Sequence, residues 1–381
     1  MGRREAQKRM GEMQESFRAS VREGRLSSRQ MLPSVRELAE QFGLSHMAVA
    51  RSLQGLVEEG VLHSVPRVGF FVGAPVNRDA GTYLLVFSTR DDLSSARNIQ
   101  TQAGFENQIS KLGGSSVVMS VDMARSYQER GEMPQLAGVF NMATLDLADE
   151  LDGERTPRVR FGVEKPDRGT HDAVSFNDFT GGGQATRHLL GLSHRQIAFL
   201  GLHTREDARL HLRALEDDGL MWSVKRHDGW KEALGEARIS SENLYFHPSR
   251  TPSAHDHEQQ TQAGYEAALV LSEQLDRQKI TAVVAVNGAA CQGLLQAFQT
   301  LQMSRSAYPA LVAFDDETST RGQVVSSLRL PWHELGRTAA DLLWERHQGL
   351  LLGPPIHRSV PMRLIPRLSC RADWNMLALA S

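Results

Sequence analysis

The chain has 381 residues, 40% apolar and 23% charged, with a formal net charge of −2. That size holds two or three compact units, each able to bury a core, and the composition excludes a disordered or fibrous polymer. No run approaches the roughly 18 uncharged apolar residues a membrane helix requires. Met1 to Arg22 is charged throughout, unlike a secretory leader, and two cysteines, Cys291 and Cys370, cannot build a disulfide framework. The expected location is the cytoplasm, with no metal and no cofactor.

Charge is unevenly distributed. Met1 to Pro75 carries 11 basic and 8 acidic residues, which leaves the remainder acidic. A basic head on an acidic body points the head towards a polyanion. Met10, Met13, Phe17 and Val21, spaced by three and four, predict a first amphipathic helix. A Gly/Ser-rich break at 24–28 follows. At Leu32-Pro33-Ser34-Val35-Arg36-Glu37, Ser34 and Glu37 have the spacing of a reciprocal capping box. The second helix is expected to stop at Gly43, and Ser45 to cap a third whose buried side holds Val49, Leu53 and Leu56.

This is helix-turn-helix spacing. His46, Met47, Ala50 and Arg51 lie off the buried stripe near the start of the third helix, where a recognition helix meets base edges; Ser34, Arg36 and Ser45 at the starts of the two helices are expected to contact DNA as well. Val61 to Val72 reads as two short strands around Pro66 and Arg67, a wing. Arg67 at its tip is expected at phosphate or the minor groove, and Gly69 lets backbone approach a duplex. LPSVRELAEQFGLS, LVEEGVL and RVGFFVG together resemble the winged-helix head of GntR-type regulators. That resemblance implies double-stranded DNA as partner. It matches Arg36 to the family's usual arginine, while His46 and Ala50 stand where arginines are usual, so fewer guanine contacts are expected.

The expected organisation is a DNA-binding domain at 1–73, a Pro/Gly/Asn-bearing linker at 74–81 and a second unit at 82–381. In that unit short apolar runs (82–87, 116–119, 137–140, 197–200, 282–286 and 310–314) alternate with helical patterns, the first near Ile99 to Leu112. The fold class is therefore α/β, with parallel sheets covered by helices. Ligands of such sheets sit beyond the carboxyl ends of the strands. This selects Phe87 to Asp92, with Phe87 and Arg90, together with Asn287 and Asp315 as effector contacts.

VSFND (174–178), GGGQATRHLLGLSHRQIAFLG (181–201), RHDGW (226–230), AVNGAACQGLLQAF (285–298), VAFDD (312–316), LGRTAADLL (335–343) and PRLSCR (366–371) resemble, in that order, the LacI/GalR effector-binding module. The resemblance implies a two-lobed periplasmic-binding-protein-like body, crossovers near 176 and 329, and dimerisation. It also implies a sugar or nucleobase effector held by Arg226, Asn287 and Asp315, with Trp332 as a stacking surface. Two departures count against a common sugar. Asn287 is followed by Gly288 where the family usually has Asp, and Leu330 replaces a polar glutamine. The stretch from His203 to Val224 is also longer and more charged than in the family.

The function expected is a ligand-responsive transcription regulator, a dimeric repressor released from a palindromic operator by a small polar effector. The alternative is a regulator without a small-molecule effector, acting constitutively or through a protein partner. A solute-binding protein uses the same module, but with a leader and no DNA-binding head. His255-Asp256-His257-Glu258 with His247 offers metal-ligand types, but at a spacing and in a flank that read as a loop. An enzyme is not expected: no nucleophile triad order, phosphate-loop lysine or HExxH helix is present. Gly181-Gly182-Gly183 is expected to start a helix close to the sheet.

Overall fold

A computed structural model describes residues 3–22, 26, 30–59, 61–65, 69–72, 80–143, 156–162, 171–204, 220–254, 256–316 and 324–371. Arg67, His255 and most of the linker at 74–81 lie outside them. Three helices open the chain: α1 (Arg3–Arg22), α2 (Val35–Phe42) and α3 (His46–Glu58). The helix α2 begins where Ser34 Oγ accepts from the Glu37 amide at 3.2 Å and the Glu37 carboxylate accepts from the Ser34 amide at 2.7 Å. It ends at Gly43 with φ +62°, the left-handed conformation that glycine adopts without penalty. Ser45 caps α3 through the Ala48 amide. Met13 and Phe17 of α1 pack with Leu38, Val49, Leu53 and Leu56 in one small core. Arg18 ties the carboxyl end of α3 to α1 through two 2.8 Å bonds to Glu59.

The antiparallel pair β1 (Leu62–Val65) and β2 (Gly69–Val72) forms the wing. Its second edge is covered by the segment before α2: the Leu32 amide donates to the Phe70 carbonyl at 2.8 Å and the Val72 amide to the Gln30 carbonyl at 3.0 Å.

The body contains two six-stranded sheets. The amino-terminal lobe uses β3 (Thr82–Phe87), β4 (Ser115–Ser120), β5 (Leu136–Asn141), β6 (Arg158–Phe161), β7 (Asp172–Phe176) and β13 (His357–Val360), in the order β13-β7-β6-β5-β3-β4 and all parallel. The carboxyl-terminal lobe uses β8 (Ile197–Leu200), β9 (Tyr245–Phe246), β10 (Ala282–Ala285), β11 (Ala310–Phe314), β12 (Ser326–Arg329) and β14 (Arg363–Ile365), in the order β14-β12-β11-β10-β8-β9. One edge departs from the all-parallel expectation: β14 runs antiparallel to β12. The apolar runs are continuous because both sheet faces are covered; every residue of β5, β7, β8, β10 and β11 is buried.

The covering helices are α4 (Ala96–Lys111), α5 (Val121–Glu129), α6 (Asp178–Gly191), α7 (Met221–Glu236), α8 (His257–Gln274), α9 (Gly288–Thr300) and α10 (Trp332–His347). The chain passes between lobes three times: after β7 into α6, after β12 into α10, and between β13 and β14.

Three helix pairs approach through reciprocal glycines. A Cβ on Gly104 of α4 would lie 1.9 Å from the His333 carbonyl oxygen, and one on Gly336 of α10 would lie 2.0 Å from that of Thr101. Gly182 of α6 and Gly229 of α7 stand likewise against the Arg226 and Phe179 carbonyls, and Gly264 of α8 and Gly293 of α9 against Ala290 and Thr261. The glycines at 181–183 do begin a helix, but Gly182 is there for a neighbouring helix rather than for the sheet. This contact holds the backbone of α7, and with it Arg226, against α6. Among the described residues no helix is long and apolar enough to cross a membrane, and no cluster of His, Cys, Asp and Glu is arranged to hold a metal. Asp256 of the His/Asp/Glu run caps α8 through the Gln259 amide. Both cysteines are free and buried, and burial pushes the Cys291 thiol up to about 12.

Candidate DNA-reading face and ligand cleft

On α3, Val49, Ser52, Leu53 and Leu56 are buried, which turns the opposite stripe outward. His46, Met47 and Arg51 are exposed there, Met47 at 84%. Among the described residues Arg51 has no ion-pair partner. Arg36 on α2 is 81% exposed and, among the described residues, pairs with Glu40 at 3.7 Å. Ser34 and Ser45 are on the same surface with their hydroxyls engaged as caps. Gly69, the first residue of β2, has φ +150°, a conformation that favours glycine, and a Cβ there would sit 3.1 Å from Met31 Cε. The surface thus offers two arginines, an imidazole and a flexible thioether at the amino ends of two capped helices, where backbone amides favour phosphate.

In the body, the carboxyl-terminal lobe gathers its polar groups around Arg226 of α7. Its Nε donates to Asp178 at 2.7 Å, and its Nη1 to the Val286 carbonyl at 2.8 Å and to Asp315 at 3.4 Å. Only 3% of its side chain is exposed. The guanidinium carbon lies 4.2 Å from the Phe314 ring centroid and 4.7 Å from that of Trp222. Asp315, at φ +82°, also accepts from the Gly288 amide at 3.2 Å. Asn287 caps α9 through the Ala290 amide and donates to Gln260 at 2.7 Å. One guanidinium therefore joins α6, α7 and the ends of β10 and β11, and its charge is met by two carboxylates and two aromatic faces.

The amino-terminal lobe is different. Trp332, the first residue of α10, stands edge-on to Phe176 at 4.7 Å between centroids and 5.6 Å from Phe161, with the Arg97 guanidinium 5.9 Å from its ring. Phe161 and Phe176 end β6 and β7. Phe87 is only 1% exposed and packs into the main core, beneath the surface, whereas Arg90 is exposed in the loop after β3.

Of the effector residues expected from sequence, Arg226, Asn287 and Asp315 form one connected cluster and Trp332 a second. Sequence reasoning missed Asp178, Trp222, Phe314 and Gln260 in the first, and Phe161, Phe176 and Arg97 in the second. Asp178 was inside the VSFND motif. Trp222 precedes Arg226 by four residues, one helical turn, a spacing that announces contact.

The structure thus joins a two-lobed α/β body, whose strand ends carry a buried polar cluster, to a capped helix-turn-helix with an outward third helix. Residues 11–72 match the model of bacterial regulatory proteins of the gntR family, and residues 186–370 match the periplasmic binding protein-like domain. Over those residues the chain is similar to a gntR-type helix-turn-helix head and to a periplasmic-binding-protein-like module.

The HTH-type transcriptional repressor NagR of Bacillus subtilis is 37% identical over 84 residues, 22% of this chain and 34% of that protein. The HTH-type transcriptional regulator GalS of Salmonella typhimurium is 27% identical over 184 residues, 48% of this chain and 47% of that protein. The arabinose metabolism transcriptional repressor of Geobacillus stearothermophilus is 24% identical over 337 residues, 84% of this chain and 86% of that protein. The match thus spans a third of the first relative and about half of the second.

Among solved structures, a complex of the transcriptional regulator CelR with cellobiose aligns with a TM-score of 0.56 at 20% identity, covering 89% of this chain and all of that one. A LacI-family regulator from Enterococcus faecium with bound ribose aligns at 0.52 and 22%, covering 76% and 98%. These structures share the fold.

Proposed function

We propose that the protein is a cytoplasmic repressor that binds a roughly palindromic DNA operator as a homodimer and releases it when a small polar effector enters the cleft. The observation that carries this reading is the pairing of an outward α3 face with a cleft cluster centred on Arg226. Arg36, His46, Met47 and Arg51, with Arg67 and Gly69 of the wing, are the DNA contacts. Arg226, Asn287, Asp315 and Trp332 hold the effector, with Arg90 at its mouth. Cellobiose and ribose in the two regulator structures, and the arabinose-linked relative, support a carbohydrate or related metabolite. Two heads are needed because a single helix-and-wing contact rarely reaches specific affinity. The protein acts through binding rather than catalysis.

One observation favours the second reading, a regulator without a small-molecule effector: Arg226, Asn287 and Asp315 already have protein partners. The test is selection of DNA from a random-sequence pool by the purified full chain, followed by release of the enriched DNA with a panel of sugars and nucleosides. Enrichment of a palindrome and release by a panel member is the expected result. Failure to enrich any sequence overturns the regulator reading. Enrichment with release by none of the panel favours the second.

A further inference from the structure

The wing has two faces. Leu62, Phe70 and Val72 turn into the head's own core. His63 and Phe71, paired across the strands, occupy the opposite face, with rings 5.3 Å apart and 18° from parallel. An outward face on an isolated winged helix meets solvent. Here Phe71 is 4% exposed, packed on Leu350 and Trp344 of the amino-terminal lobe, and His63, stacked on Phe71, is 6% exposed.

The seat is rigid. Leu350 follows α10 in a left-handed helix stop, with Gly349 at φ +67° and the Leu350 amide donating to the Glu345 carbonyl at 2.8 Å. Arg346 clamps this stop to the sheet: it grips both Asp172 oxygens at 2.7 Å and the carbonyls of Leu351, Gly353 and Pro354. Trp344 and Trp332 are on the same helix, roughly 18 Å apart at 1.5 Å per residue. One end of α10 stands beside Phe161 and Phe176 and the other lies under the wing, and near its start α10 is held in close backbone contact with α4 at Gly104 and Gly336.

We propose that the outer face of the wing is the seat by which the body holds the head, and that α10 is the rod that carries the state of the cleft from Trp332 to that seat. The second half rests on the cleft being the effector site. Seating leaves His46, Met47 and Arg51 exposed, so it orients the head rather than blocking it. A dimer with seated heads presents them at fixed spacing, and an unseated head binds DNA at an entropic cost.

The experiment uses the full chain with two variants that touch the seat from opposite sides, Leu350→Asp and Phe71→Ser. Amide hydrogen exchange of β1 and β2 is measured together with affinity for DNA enriched by the wild-type chain. Both variants are expected to speed wing exchange about tenfold with α3 exchange unchanged, and to weaken binding to the two-half-site DNA more than to a single half-site. Wing exchange that stays at the wild-type rate in both variants overturns the seat. Trp332→Ala tests the rod: altered wing exchange is expected, and an unaltered wing in a variant that keeps its α4 protection overturns the coupling. Wing exchange is read without DNA, so a failure to enrich any sequence, which would sink the regulator reading, leaves the seat tested on its own.

Discussion

The exposed α3 stripe of the head and the Arg226 cluster of the body are built on opposite plans. On α3 the exposed stripe has little in the protein to hold it: Met47 is 84% exposed and Arg36 on α2 pairs, among the described residues, with a solvated Glu40. In the cleft, Arg226 has two carboxylates, a backbone carbonyl and two aromatic rings. Side chains left incomplete are ready for a partner that brings its own charge, as phosphate and base edges do. Side chains already completed answer a ligand only by exchanging bonds. A ligand hydroxyl that took Asp315 from Arg226 would loosen a tie between α7 and the end of β11, the kind of exchange by which a small ligand gains different contact energies in two states.

The contrast is broken most directly at Arg226. Arg226→Ala leaves Asp178 and Asp315 without their cation in a largely buried place, and removal of one partner from such a cluster costs about 3–5 kcal/mol. Urea unfolding of the full chain is the measurement, and a loss below about 1 kcal/mol, the scale of an exposed pair, would show that the cluster is not wired as described. A triple variant, Arg226→Met with Asp178→Asn and Asp315→Asn, is expected to recover most of the stability, since it removes the charges together. Loss of DNA affinity in Arg226→Ala alone would therefore report stability before it reported ligand response.

The head also has completed polar devices, among them the box that starts α2. Ser34→Ala removes a cap and is expected to cost about 1 kcal/mol, read from the unfolding of the head. The box also responds to acid. The backbone amide of Ser34, and then its hydroxyl, hold the Glu37 carboxyl below the ordinary carboxylate range. A depressed folded value means that the stabilisation is present in full above the ordinary carboxylate value and is lost as pH falls through the lower folded one. The stability gap between wild type and Glu37→Gln should close on that side, and a gap constant from neutral to strongly acidic pH would show that the box does not bind the ionised form.

Local signals were legible and long-range ones were not. Ser34, Glu37, Gly43 and Ser45 announced α2 and α3 because caps act within a turn. The buried runs 197–200 and 310–314 announced strands because a sheet covered on both faces admits few polar residues. Weaker pieces escaped: β9 has two residues, and β13, His357-Arg358-Ser359-Val360, is polar because it lies at a sheet edge. In the cleft, Arg226, Asn287 and Asp315 were found as single positions, but Asp178 and Gln260 enter it from 48 and 27 residues away, which no local pattern encodes. Phe71 read as an ordinary strand residue, since nothing in RVGFFVG says which of two adjacent aromatics faces the head's core and which faces Leu350.

The smallest expected change in stability is the most telling for the head. Arg36 and Arg51 project from capped helices, away from the core of Leu38, Val49 and Leu53. Their replacement removes no buried contact and leaves no carboxylate buried without a partner, because Glu40 is itself solvated. Arg36→Ala and Arg51→Ala should therefore unfold within about 0.5 kcal/mol of the wild type. Each is expected to weaken binding to the enriched DNA, by about 1–3 kcal/mol where a bidentate base contact is lost, and salt titration separates the two roles. A lost phosphate contact flattens the dependence on salt, whereas a lost base contact leaves the slope and relaxes sequence preference. Stability and DNA affinity falling together in both variants would mean that these arginines hold the head's fold, and that its reading surface lies elsewhere.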